Sequence, residues 1–129
     1  MKDETFLFSP SYAMTRVKIH GKEKIDCNNR DGGIFCFLHF GSFFLSGGAI
    51  SKHMNLNYTA VASTSNHEFL AKEEKFFWKG VFSRAEKMYS RKLFFTDENP
   101  KHFIDWVMNG NYLGVAIDVI EAKKKNKLK

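Results

Sequence analysis

Four short stretches rich in apolar residues, Ile34–Leu38, Tyr58–Ala62, Leu93–Thr96 and Tyr112–Ile117, are separated by intervals long enough to hold helices. Strands alternating with helices predict an α/β domain with a largely parallel sheet and right-handed crossovers. Length and composition agree: 129 residues, 43% hydrophobic and 26% charged with only two prolines, match one ordinary soluble domain and exclude disordered and collagen-like chains. Residues 1–118 are read as a single domain, followed by a basic tail over 119–129.

Taken in order, Arg16-Val17-Lys18-Ile19-His20 alternates polar with apolar and stops at Gly21, which predicts an edge strand. The stretch from Gly21 to Gly33 is charged and reads as an exposed loop. Ile34 to Leu38 follows Gly32-Gly33 and is uninterruptedly apolar, as a parallel strand covered on both faces would be. Gly47-Gly48, inside the apolar helix expected after His39, weaken it by about 1 kcal/mol each relative to alanine. Close packing of helix on sheet explains them better than a nucleotide-binding loop, whose spacings they do not match.

Over residues 67 to 90, Trp78, Val81, Phe82, Ala85, Met88 and Tyr89 recur at spacings of three and four, with Lys72, Lys75, Lys79 and Lys87 among the remainder. This is an amphipathic helix, with a bend expected near Gly80. Asn99-Pro100 supplies an N-cap and a proline in the first turn; Phe103, Ile104 and Val107 form the apolar stripe and Gly110 closes the helix.

The charge of +6 is unevenly placed: the tail holds five lysines against Glu121, leaving +2 for residues 1–118. A nearly balanced body does not fit a general nucleic-acid binder. The longest apolar run, about ten residues within Ile34–Leu45, is too short for a spanning helix, and the Phe6-Leu7-Phe8 patch lacks the features of a signal peptide. An intracellular location is therefore expected. Cys27 and Cys36 have neither metal-ligand nor disulfide-framework spacing and are read as free thiols.

Ligand and catalytic groups of such sheets belong at the carboxyl edge. The residues that follow the expected strands are His39, then Ser63-Thr64-Ser65-Asn66, then Asp97 and Glu98, then Asp118. His39-Phe40-Gly41-Ser42 marks a strand-to-helix turn: Gly41 permits tight geometry and Ser42 can cap the helix. A helix N-terminus favours neutral imidazole, the form a general base requires.

The segment Gly33 to Phe44 resembles the active-site segment of the bacterial lipid A biosynthesis acyltransferases, relatives of the glycerolipid acyltransferases. That family's signature is a His followed five positions later by Asp or Glu, often as His-Phe-Gly-Asn-Trp-Glu. His39, Phe40 and Gly41 match it, whereas Phe44 stands at the position of the acid. Val17 to Glu23 is similar to the strand and glycine turn preceding the signature. Asn109 to Asp118 is similar to a later strand ending in Pro-Asp-Gln, of which Asp118 matches the aspartate and Ile117 and Val119 do not match its neighbours. Ser63-Thr64 replaces an arginine–proline step, and Arg84 falls near another family arginine. The resemblance covers roughly residues 14–118 and only part of the family's length.

What the resemblance implies is transfer of a fatty acyl group from an acyl-carrier or coenzyme A thioester to a hydroxyl of a lipid or sugar-lipid acceptor. His39 would be the general base, with Gly41 and Ser42 holding the oxyanion. Asp118, Asp97 and Glu98 are candidates to replace the missing acid, Asp118 being preferred. Ser63 and Arg84 are expected at the substrate, Arg84 at a phosphate. Phe40 and Phe43, with Phe44, Phe69, Phe76 and Phe77, are weighed as lining for an acyl chain against the ordinary reading as core. No metal or bound cofactor is implied. Lys72, Lys75, Lys79, Lys87 and the tail suit an acidic carrier protein. Two other readings are a non-catalytic binding or scaffold module of the same fold, and a peripheral membrane binder on the inner face of the bacterial plasma membrane.

Overall fold

The computed structural model describes residues 10–25, 31–38, 42–63 and 71–117. Helix α1 (Pro10–Arg16) and a 3-10 turn (Lys22–Lys24) precede strand β1 (Gly33–Phe37). Helix α2 (Phe43–His53), β2 (Tyr58–Ala62), α3 (Lys72–Tyr89), β3 (Phe94–Phe95), α4 (Pro100–Met108) and β4 (Tyr112–Ala116) follow. The four strands form one parallel sheet in the order β1-β4-β2-β3, so the last strand is inserted between the first two. This is the α/β class that strand and helix alternation predicts.

Side-chain alternation sorts the sheet into two faces. Phe35, Phe37, Tyr58, Tyr112 and Phe95 meet rings or neighbours on the inner side, where α2 and α3 pack. On the outer side Phe94 of β3 meets Phe103 and Trp106 of α4 at ring distances of 5.2 and 6.0 Å. The Trp106 indole N–H donates to the Tyr112 carbonyl (2.9 Å), fastening α4 to the sheet. Right-handed crossovers produce this division, because the chain moves one way across the sheet through α2 and α3 and back through α4.

Helix boundaries follow local chemistry. Asn99 caps α4, its side-chain oxygen accepting from Lys101 N (3.0 Å), with Pro100 in the first turn and Gly110 (φ 87°) after the end. Helix α3 runs without interruption through Gly80, where an added β-carbon would meet open space. Gly47 of α2 answers to close helix-to-sheet contact, since an added β-carbon would lie 2.6 Å from Cζ of Tyr58; its neighbour Gly48 instead faces Met88 of α3.

Two local expectations are corrected. Arg16 ends α1 and Val17–Ile19 forms no strand. The alternation there is real, because Val17 and Ile19 pack against the core, yet among the described residues no strand lies alongside and the Val17 carbonyl is met by the His53 ring nitrogen (2.9 Å). β1 is covered on one face only: Ile34 and Cys36 are exposed, because β1 is an edge strand that α4 does not reach across to cover.

Candidate functional site

The sheet order decides which chain segments meet at the carboxyl edge. β1 and β4 are neighbours in register, Phe37 opposite Ala116, and the Ile117 N–H donates to the Phe37 carbonyl (3.0 Å). Sequence positions 39 and 118 therefore each follow by two residues a member of the same paired step. His39, Phe40, Gly41 and Asp118 themselves lie outside the described residues.

Asp97 and Glu98 follow β3, three strand spacings from β1, or about 14 Å. Asp97 is exposed and Glu98 approaches His102 at 3.7 Å. Neither shares the β1–β4 step. Ser63 directly follows β2, the other neighbour of β4, and is half-buried.

Ser42 is the N-cap of α2. Its hydroxyl accepts from Leu45 N (3.2 Å), and its carbonyl accepts from the Ser46 hydroxyl (2.8 Å). The helix N-terminus thus starts at the carboxyl edge. Phe43 is a core residue, 9% exposed, with its ring 5.3 Å from those of Phe37 and Phe44. A side chain so enclosed packs the domain and presents little surface to a ligand.

Phe44 explains why no acid stands at its position. Its ring lies 5.9 Å from that of Phe82 on α3, and its carbonyl accepts from the Tyr89 hydroxyl (2.7 Å). The side chain is directed into the α2–α3 contact. A carboxylate there would lose water without gaining a cation among these aromatic neighbours.

The rings continue as a chain. Phe82 touches Trp78 (6.0 Å) and Phe95 (5.6 Å), and Trp78 touches Phe77 (5.6 Å). With Phe37, Phe43 and Phe44 they make an aromatic wall along the inner side of the carboxyl edge. Helix α3, 18 residues or about 27 Å long, exceeds the five-residue β2 at about 17 Å, and its first two turns project past that edge. Trp78, on this overhang, keeps 38% of its surface exposed, whereas Phe77 packs against the core and Phe76 points to solvent. The helical period carried the signal for the Trp78–Phe82 pair; its continuity with Phe44 and Phe95 is tertiary.

Lys72, Lys75 and Lys79 stand on the same overhang, exposed, and Lys87 on the last turn. Arg84 lies about 200° around α3 from Phe82 and so leaves the helix on the side away from α2. It does not join the wall.

Below the wall, Tyr58 and Tyr89 meet edge to face at 5.0 Å. Burial pushes both phenols well above their ordinary range, Tyr89 further influenced by Tyr58. The Tyr58 hydroxyl is buried with no hydrogen-bond partner. Both rings are therefore neutral packing elements at physiological pH.

Cys36 is a free, exposed thiol; Cys27 lies outside the described residues. Among the described residues no three His, Cys, Asp or Glu side chains converge as a metal site, and no helix is long and apolar enough to cross a membrane. No protein-family model matches the chain, and neither do any curated protein or solved structure.

Proposed function

We infer that the domain is acyltransferase-like, moving a fatty acyl group from an acyl-carrier or coenzyme A thioester to a hydroxyl of a lipid or sugar-lipid acceptor. The observation that carries this reading is the Phe37–Ala116 step, which makes the segments bearing His39 and Asp118 leave adjacent strands at one edge. Of the three acids weighed as a substitute for the family's carboxylate, only Asp118 follows a strand paired with β1. The acyltransferase fold and its site are part of the proposal.

In this mechanism neutral His39 accepts the proton of the acceptor hydroxyl as its oxygen attacks the thioester carbonyl. Asp118 holds the imidazole in the required tautomer and stabilises the imidazolium. Backbone N–H groups at Gly41 and Ser42 hold the tetrahedral oxyanion, which collapses to the ester as the thiolate leaves with the proton from His39. Trp78, the exposed end of the aromatic wall, supplies an apolar surface for the acyl chain, each methylene leaving water contributing about 0.8 kcal/mol. Lys72, Lys75 and Lys79 offer positive charge to an acidic carrier protein at the same edge.

The test uses the purified chain with acyl-carrier and acyl-coenzyme A thioesters and a mixture of lipid and glycolipid acceptors, following thiol release. His39→Ala should abolish release, and Asp118→Asn should reduce it by about 10⁴-fold, as loss of the orienting carboxylate does in a Ser-His-Asp triad. Equal thioester consumption by the native chain and His39→Ala rejects catalysis. A second reading, a non-catalytic binding module of the same fold, is favoured specifically by Phe44, whose packing into the α2–α3 contact removes the family's own acid. Saturable binding of a fluorescent fatty acid without thiol release distinguishes it.

A further inference from the structure

We propose that the face of α3 turned away from the sheet docks on an anionic bilayer, Phe76 entering the headgroup layer while Lys72, Lys79 and Lys87 meet lipid phosphates. Successive side chains leave a helix about 100° apart. On that period the buried Val81, Ala85, Met88 and Tyr89 share one arc, and the direction opposite its centre lies within about 50° of Lys72, Phe76, Lys79, Ser83 and Lys87. All five are exposed. Phe76, at 82%, is the most exposed of the large apolar side chains among the described residues. The stripe runs about 22 Å from Lys72 to Lys87.

Charge defines the partner. The stripe holds three lysines and no acid. Glu73 and Glu86 leave the helix about 70° to either side of it, and Glu74 leaves on the sheet side. Glu73 is matched by Lys75 on the opposite flank. Glu86 is already engaged: it accepts from Leu93 N (3.0 Å) and lies 3.9 Å from Lys92 Nζ. A surplus of three positive charges therefore remains along the stripe among the described residues, and each lysine held near an anionic surface raises affinity by about fivefold.

The lone ring among the lysines selects a bilayer over an acidic protein. Phe76 has Lys72 one turn before it and Lys79 one turn after it, so it projects from a convex ridge. A protein partner has to carry a pocket shaped for that ring. A lipid layer opens around it, and lysine stems lie against the apolar layer while their ammonium groups stay at the phosphates. A single nucleic-acid strand is held in a groove rather than on a ridge, and the charge of +2 over residues 1–118 is too small for general nucleic-acid binding. The surface uses neither His39 nor Asp118 and is independent of acyl transfer: vesicle binding reads the one, thiol release with a soluble acceptor the other.

Co-sedimentation of the 129-residue chain with vesicles of phosphatidylcholine containing about 30% phosphatidylglycerol should give saturable binding, weaker by about tenfold or more on phosphatidylcholine alone and in about 0.5 M salt. Lys72→Gln with Lys79→Gln should weaken it by about 25-fold and Phe76→Ser by about tenfold, each with an unchanged circular dichroism spectrum. Phe76→Leu should stay within about twofold, and so should Lys101→Gln, which removes an exposed lysine of α4. Binding that survives both the lysine pair and Phe76→Ser but disappears on deletion of residues 119–129 belongs to the basic tail and overturns the proposal. Equal binding to vesicles with and without phosphatidylglycerol overturns it as well, as does capture of an acidic acyl-carrier protein through Lys72 and Lys79 by a chain that binds no vesicles.

Discussion

Replacing Gly114 by alanine is the sharpest test of how the core is built. Gly114 is the middle residue of β4, flanked by β1 and β2, and its missing side chain is the space into which the Tyr58 ring reaches. An added β-carbon would lie 2.7 Å from Cζ and 3.1 Å from Cε2 of that ring, and closer still to the hydroxyl. Tyr58 is 1% exposed and is held on its other sides by Gly47, Phe35 and Tyr89, so the ring has no free direction of retreat. Overpacking of this kind costs about 1–3 kcal/mol, offset by roughly 0.5–1 kcal/mol from the reduced freedom of alanine in the unfolded chain. A net loss of about 1 kcal/mol is expected, read as a lower urea midpoint at unchanged m-value. Tyr58→Phe should do the opposite and gain about 1 kcal/mol, because it removes a buried hydroxyl that has no hydrogen-bond partner. Combined with Gly114→Ala, it should recover about half of the alanine penalty, since the oxygen is the atom nearest the new methyl group. Additive effects in the double variant, or a neutral Gly114→Ala, would refute this account of Tyr58 packing.

Three further outcomes follow from the same structure. Both buried tyrosines have raised folded-state pKa values, so their contribution is complete below the ordinary phenol pKa of 10.0. It declines as pH rises above that value, where the unfolded chain releases protons first; urea titrations between pH 9 and 11 should show a shallower decline in Tyr89→Phe than in the native chain. Asn99→Ala removes the acceptor of the Lys101 N–H and should cost about 1 kcal/mol, lowering the thermal midpoint by about 4 °C. Phe44→Glu should not create an active carboxylate but destabilise the domain by about 2–4 kcal/mol in the urea assay, since it deletes the Phe82 contact and places a charge between α2 and α3.

The candidate site divides in the same way as the fold. His39 is singled out by its neighbours in sequence, between an apolar run and a capping serine, because a strand-to-helix turn is a local event. The choice among Asp97, Glu98 and Asp118 is not local. All three follow a strand, and only the insertion of β4 beside β1 separates Asp118 from the others. Phe44 likewise reads as a plain departure from a motif until its ring is seen against Phe82 and its carbonyl under Tyr89.

Spacing, capping residues and glycines along the chain determined where α2, α3 and α4 run, that strands alternate with helices, and that Gly47 marks a close approach. These rest on interactions within a few residues or on the burial any helix face demands. Strand order, the exposed outer face of β1, and the failure of Val17–Ile19 to find a strand partner were decided only by tertiary structure. Parallel pairing joins residues as far apart as Gly33 and Tyr112, and nothing in either segment alone specifies its partner. That choice depends on how two inner-face helices and one outer-face helix share the available sheet.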